Sequence, residues 1–260
     1  MSSFSIDAIW EETVVFLRRE SGLVLPVAMA TFGLGMLILG FAADARGDGT
    51  AQSPVSGVNG LLLIPALLLT VIGNMAVSLM ALRSRLSVGE ALRIALARVP
   101  VAIVVGLIVA ALIFGVFVVA VVIVTLIGLV VPSDNATRLN EAIILSCMPI
   151  IWGQVRLLVL WPTLADGSMG PIDALKHSFR LTRGKTLRAL AISVMFGLAY
   201  MTLISISQLA LVPVARLLAM ASGQGELLRV IAELIVAFIG SVLMMGWTVY
   251  LAFAYGRLSA

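Results

Sequence analysis

Charge is scarce in this chain. Charged residues make up 12% of its 260 residues, about half the share of an ordinary soluble domain. There is one histidine, His177, and one cysteine, Cys147. A single histidine excludes a histidine pair, and with no second imidazole or thiol nearby no metal-ligand cluster can be drawn. A single cysteine excludes an intrachain disulfide; lying inside an apolar run, Cys147 reads as an inert buried thiol. The phosphate-cradling pattern G-x-x-x-x-G-K-[ST] is missing as well. No catalytic residue, metal or cofactor is assigned on these grounds, and the chain reads as a non-enzyme.

What remains is apolar. Hydrophobic residues make up 61% of the sequence, against roughly 45–50% in soluble domains. Leu23–Ala43, Leu61–Leu82, Val99–Ser133 and Ala189–Ala215 carry no charge at all, Ala142–Ala165 carries only Arg156, and Val230–Gly256 before Arg257 carries only Glu233. A bilayer core of about 30 Å takes about 20 helical residues, so six spanning helices are expected. The runs do not alternate as barrel strands would. The fold class is therefore all-α integral membrane, with residues 1–260 as one membrane domain. Ala43-Asp44-Ala45 has the form of a signal cleavage site, but Asp7, Glu11, Glu12 and Glu20 precede the apolar run, and a signal peptide starts short and positive.

Three segments stand out from the oily background. Ser5–Arg19 places Ile6, Ile9, Trp10, Val14 and Leu17 near one helical face, as an in-plane interfacial helix would. Ser87-Val88-Gly89-Glu90 has the capping-box pattern and opens a second amphipathic stretch with Val88, Leu92, Ala95, Leu96 and Val99. Pro171–Arg188 opens the third, with proline suited to a first helical position. Asp7, Glu90 and Asp173 are separated by 83 residues twice over, each placed for a first turn where the helix dipole favours an acid. The triplets Ile72-Gly73-Asn74, Trp152-Gly153-Gln154 and Ile239-Gly240-Ser241 echo one another in the even-numbered spans. Recurrence at a fixed period points to repeated architecture: three units of approximately 4–86, 87–169 and 170–260, each an interfacial helix and two spans.

The third uncharged run is 35 residues long, or about 50 Å as a helix. A tilt, a kink at Gly106, Gly115 or Gly128, or extension past the membrane must absorb the excess. Pro26 falls in the expected opening turn of the first span, where proline costs little.

Charge sets the orientation. Arg18, Arg19, Arg83, Arg85, Arg93, Arg98, Lys176, Arg180, Arg183, Lys185, Arg188 and Arg257 fall on the side of the amphipathic segments, against Arg46, Arg138, Arg216 and Arg229 on the other. The positive-inside rule then places both termini in the cytoplasm. With basic residues flanking spans, the pI near 9.8 points to anionic phospholipid and not to nucleic acid.

The candidate residues follow. Lys176, Arg180 and Arg183 share a helical face at i, i+4, i+7, with Lys185 and Arg188 beyond, and Ile172, Leu175, Phe179 and Thr182 on the adjoining face. Arg156 is a charge inside a span, which costs at least ~2.5–3.5 kcal/mol near the centre. Glu233 matches it by sign, but the two sit at different depths, so Arg156 reaches for headgroups or faces a polar cavity. Together these are the lipid- and anion-binding candidates. Asn74, Gln154 and Ser241 would form a polar layer at mid-membrane, as interhelical hydrogen-bond glue or as a substrate path. His177 reads as a surface residue.

Ala174-Leu175-Lys176-His177-Ser178-Phe179-Arg180-Leu181-Thr182-Arg183-Gly184, with Ile6–Arg19 and the stretch from Arg156-Leu157 to Asp166-Gly167, resembles a bacterial six-helix family known as the glycerophosphoryl diester phosphodiesterase membrane domain. The resemblance implies a bacterial inner-membrane protein with six helices, from a family whose members mostly have no assigned activity. In the fusions that name the family, a soluble barrel with paired histidines carries the hydrolysis; this chain has one histidine. The leading expectation is lipid handling or membrane organisation, the alternative a small-molecule or lipid transporter with a polar path among the even-numbered helices, and a membrane-embedded phosphodiesterase comes last.

Overall fold

The computed structural model describes residues 6–44, 57–83, 86–128, 135–167, 169–222 and 225–259. Arg46 and Arg85, counted above for orientation, fall outside them. The elements are α1 (Ile6–Ala28), a π-helical turn (Met29–Gly33), α2 (Leu34–Asp44), α3 (Gly57–Leu82), α4 (Val88–Ile127), α5 (Asn135–Arg156), α6 (Leu160–Asp166), α7 (Pro171–Leu181), α8 (Thr186–Ser222) and α9 (Gly225–Ser259). No strand occurs among the described residues. Six helical stretches are long and apolar enough to cross a membrane: Asp7–Ala42, Leu61–Leu82, Val88–Ile127, Thr137–Asp166, Thr186–Ala215 and Val230–Ser259. They match the six expected runs.

Two of the three amphipathic segments do not stand apart from their spans. α1 runs without a break through Gly22 and Pro26 into the π-helical turn and α2, so Pro26 is interior and not in an opening turn. Its missing N–H leaves the carbonyl one turn back without its donor, and the chain re-registers through the π-helical turn that follows, a recognised source of helix bending. The apolar face of the N-terminal stretch meets protein. Ile9 is fully buried against Tyr250, Leu251 and Ala254 of α9, and Phe16 meets Phe253 edge-on at 5.7 Å. Trp10, expected on that same face, is 60% exposed.

The second amphipathic segment is the start of α4. Its capping box forms as expected: Glu90 N–H donates to Ser87 Oγ at 3.2 Å, and Ser87 N–H donates to Glu90 Oε2 at 3.1 Å. The helix then continues unbroken past Gly106 and Gly115 to 40 residues, about 60 Å. Arg138 Nη2 donates to the carbonyl of Gly128 at its end, at 3.2 Å. Of the three amphipathic segments, only the one at α7 is a separate helix. Gly184, with φ +82°, supplies the left-handed turn that parts it from α8.

The core is a triad of α1–α2, α3 and α9. Every residue of α3 from Gly73 to Ala81 is buried, as befits a helix surrounded by others. α4, α5 and α8 form a looser arm: over their apolar stretches 11% of residues are buried in α4 and 6% in α8, against 39% in each of the first two spans. α5 packs mainly on α4 and α8, through Ala142 against Ala120 and Val124.

The looseness of α5 corrects the reading of Cys147, which is exposed. The buried positions in that half of the helix are Ala142 and Ser146, and Cys147 lies off their stripe. A charged reagent enters hydrocarbon only at a heavy cost. In intact vesicles Cys147 is expected to resist a charged thiol reagent and to react once the protein is unfolded in detergent. Labelling at a solvent-like rate in vesicles would put α5 outside the bilayer.

Candidate anion-binding surface at the basic end

One end of the bundle collects the residues that the amphipathic segments bracket. Arg83 Nη2 approaches Asp166 Oδ1 at 3.4 Å and donates to the Asp166 carbonyl at 3.1 Å. Tyr255 O–H donates to Asp166 Oδ2 at 3.4 Å, the Arg98 guanidinium packs on Gly167, and Arg257 pairs with Glu12. The Arg83–Asp166 and Arg257–Glu12 pairs are exposed, so water and salt screen both. His177 is half-buried, correcting the surface reading: its ring lies 6.4 Å from that of Tyr255, with Arg180 Nη2 3.4 Å from Nδ1.

The fourth span is broken at this end. Pro162 cannot donate to the carbonyl of Leu158, and its ring crowds that carbonyl. The chain unwinds over Leu157–Val159 and restarts as α6, whose residues Leu160 and Pro162–Ala165 are buried among α3, α4, α7 and α9. The break makes Arg156 the last residue of α5, with a carbonyl that has no helical donor. α7 supplies the donors. Ser178 Oγ donates to the Arg156 carbonyl at 3.0 Å, and the single Thr182 hydroxyl hydrogen is shared between that oxygen at 3.2 Å and the Ser178 carbonyl at 3.0 Å.

That contact fixes how α7 is turned. Its buried stripe is Ala174, Ser178 and Thr182. The apolar residues Ile172 and Phe179 point out, and so do Lys176 and Arg180, Arg183 in the turn after α7 and Arg188 in the first turn of α8; Lys185 is half-buried. An exposed apolar strip therefore runs beside an exposed basic strip, the pattern of a helix lying in a headgroup plane.

Arg156 sits where α5 ends against α7. Its Cζ lies 5.1 Å from the Trp152 ring centre and 6.0 Å from that of Phe179, and the two rings meet edge to face at 5.8 Å. Its Nε is buried and makes no hydrogen bond among the described residues. No protein-family model matches the chain, and no curated protein and no solved structure matches it. The chemistry of this corner therefore has to be read from its own groups: a fixed cation with open donor capacity, two aromatic faces, and three basic side chains on the neighbouring helix.

The other candidates are elsewhere. Glu233 lies by Gly40 of α2, 22 residues before Tyr255 on α9, which is about 33 Å along the helix, so it is not the partner of Arg156. Asn74 and Ser241 are buried and Gln154 is exposed, so the expected polar layer does not assemble. Thr248 Oγ1 donates to Asn74 Oδ1 at 3.0 Å and Asn74 Nδ2 to the Thr70 carbonyl at 2.9 Å. Ser241 Oγ donates to the Ala237 carbonyl at 2.6 Å. The physical cause is the broken fourth span, which leaves α5 in the outer arm while α3 and α9 pack in the triad.

Sequence reasoning missed Ser178, Thr182 as a hydrogen-bond donor, and Trp152. Pro162 held the signal for the first two, since a proline inside a span marks carbonyls in need of donors. Trp152 precedes Arg156 by four residues, the spacing of side chains that meet on a helix.

Proposed function

We propose that the protein is a non-enzymatic polytopic membrane protein that engages anionic phospholipid at its basic end, in lipid handling or membrane organisation. The observation that carries this reading is the orientation of α7, which buries Ala174, Ser178 and Thr182 and turns both Ile172/Phe179 and Lys176/Arg180/Arg183 outward. We read the basic end as cytoplasmic, the membrane as a bacterial inner membrane, and the chain as three related units with first-turn acids at Asp7, Glu90 and Asp173. The membrane-domain family it resembles is part of the same proposal.

The transporter alternative is weaker, because the polar groups that would line its path are bonded within the triad (Asn74, Ser241) or sit apart from it (Gln154). A phosphodiesterase remains last, with His177 against Tyr255 and Arg180.

Each basic side chain near an anionic leaflet contributes about 1 kcal/mol. The triple variant Lys176→Gln/Arg180→Gln/Arg183→Gln is therefore expected to weaken retention of phosphatidylglycerol over phosphatidylcholine by roughly a hundredfold at low salt, and less at high salt. Purified protein from mixed-lipid nanodiscs, analysed by native mass spectrometry, reads this directly. Unchanged retention would leave the stripe as a topology signal only.

A further inference from the structure

We infer that the corner between the end of α5 and α7 is a discrete site for one phosphate group, that of an anionic phospholipid, with Arg156 as its ligand. This rests on the lipid-engaging reading above and narrows it from a charged surface to a single stoichiometric position.

Three features separate Arg156 from the other basic residues. Its backbone is fixed, because the Arg156 carbonyl takes the Ser178 hydroxyl and shares that of Thr182 with the Ser178 carbonyl. Its guanidinium is set over the Trp152 and Phe179 rings, which hold the plane by cation–π attraction without using any N–H. And the guanidinium is unpaired: it makes no hydrogen bond or ion pair among the described residues, and with Nε buried it is the two Nη groups that can meet a phosphate. A planar fork of N–H groups, pre-set and unpaired, matches a phosphate with two parallel bonds. The cost of leaving it unpaired near apolar surroundings gives the site its reason to bind.

The surroundings favour a lipid over a soluble anion. Trp152 and Phe179 are themselves 51% and 37% exposed, and Met148, one turn before Trp152, is 81% exposed. An acyl chain along this side of α5 would follow apolar side chains away from the guanidinium, while Lys176 and Arg180 lie beyond Phe179 on α7 for the remaining headgroup charge.

The test uses the full chain extracted in mild detergent and presented with phosphatidylglycerol, read by native mass spectrometry. The wild type is expected to keep one lipid per chain through delipidation. Arg156→Gln is expected to lower its affinity roughly tenfold to a hundredfold, as for a lost charged hydrogen-bond pair. The substitution leaves the clamped carbonyl in place. Arg156→Lys, which keeps the charge but not the fork, should fall between. If Arg156→Gln does not fold, Trp152→Leu is expected to weaken the same lipid. Equal retention in Arg156→Gln or, failing that, in Trp152→Leu overturns the site. Displacement of the lipid by millimolar inorganic phosphate would reassign it to a soluble anion and overturn the lipid assignment. Loss in Arg156→Gln with retention in the Lys176/Arg180/Arg183 triple variant keeps the site and sinks the surface reading; the opposite pattern does the reverse.

Discussion

Gly73→Ala is expected to destabilise the protein by about 1–3 kcal/mol, the usual cost of overpacking, while Gly153→Ala is expected to be neutral or slightly stabilising. The two glycines hold matching places in echoing triplets, yet their surroundings differ. A Cβ on Gly73 would overlap Thr31 Oγ1 and lie 2.9 Å from the Phe32 ring, both buried in the π-helical turn. Thr31 cannot swing away freely, because its hydroxyl donates to the Val27 carbonyl at 2.7 Å. At Gly153 nothing lies within 4 Å, so only the helix propensity of alanine over glycine counts there, about 1 kcal/mol in its favour. Thermal unfolding in one detergent, followed by circular dichroism, separates them. Equal effects at the two positions would mean that the triad of α1–α2, α3 and α9 is not packed as described.

The double variant Ser178→Ala/Thr182→Val is the second large effect. It removes both donors from the Arg156 carbonyl, and an acceptor left without a partner costs about 1–3 kcal/mol. Val is close to Thr in shape, so packing changes little while the hydroxyl is lost. The expected result is local: α7 detaches from the break in the fourth span before the triad melts. Limited proteolysis should cut earlier in the turn at residues 182–185, and amide exchange in α7 should quicken. A variant as protected as the wild type would show that the break is held by other contacts.

The sequence-level reading succeeded where one strong force acts alone. The six spans were legible because a bilayer demands about 20 apolar residues for each helix, and the Ser87–Glu90 cap because a local motif satisfies its own donors. It failed where tertiary contact decides between two local possibilities. Nothing between Ser5 and Leu23 says whether an amphipathic stretch lies on a leaflet or against α9; the contact of Ile9 with Tyr250 and Leu251 decides it. The site was half legible. Lys176, Arg180, Arg183 and Arg156 announce themselves by charge in an apolar chain. That Ser178 and Thr182 face inward, and so turn the basic strip outward, depends on a carbonyl freed by Pro162 in another span, and no pattern within residues 171–188 carries that information.

The basic end is proposed to gather anionic lipid. The most direct measurement is the lipid composition that travels with the protein when it is excised from its membrane in polymer nanodiscs, compared with the bulk membrane and repeated across salt. Enrichment of anionic over zwitterionic phospholipid, lost as ionic strength rises and reduced in the Lys176/Arg180/Arg183 triple variant, is the predicted result. A composition equal to the bulk at low salt would contradict it.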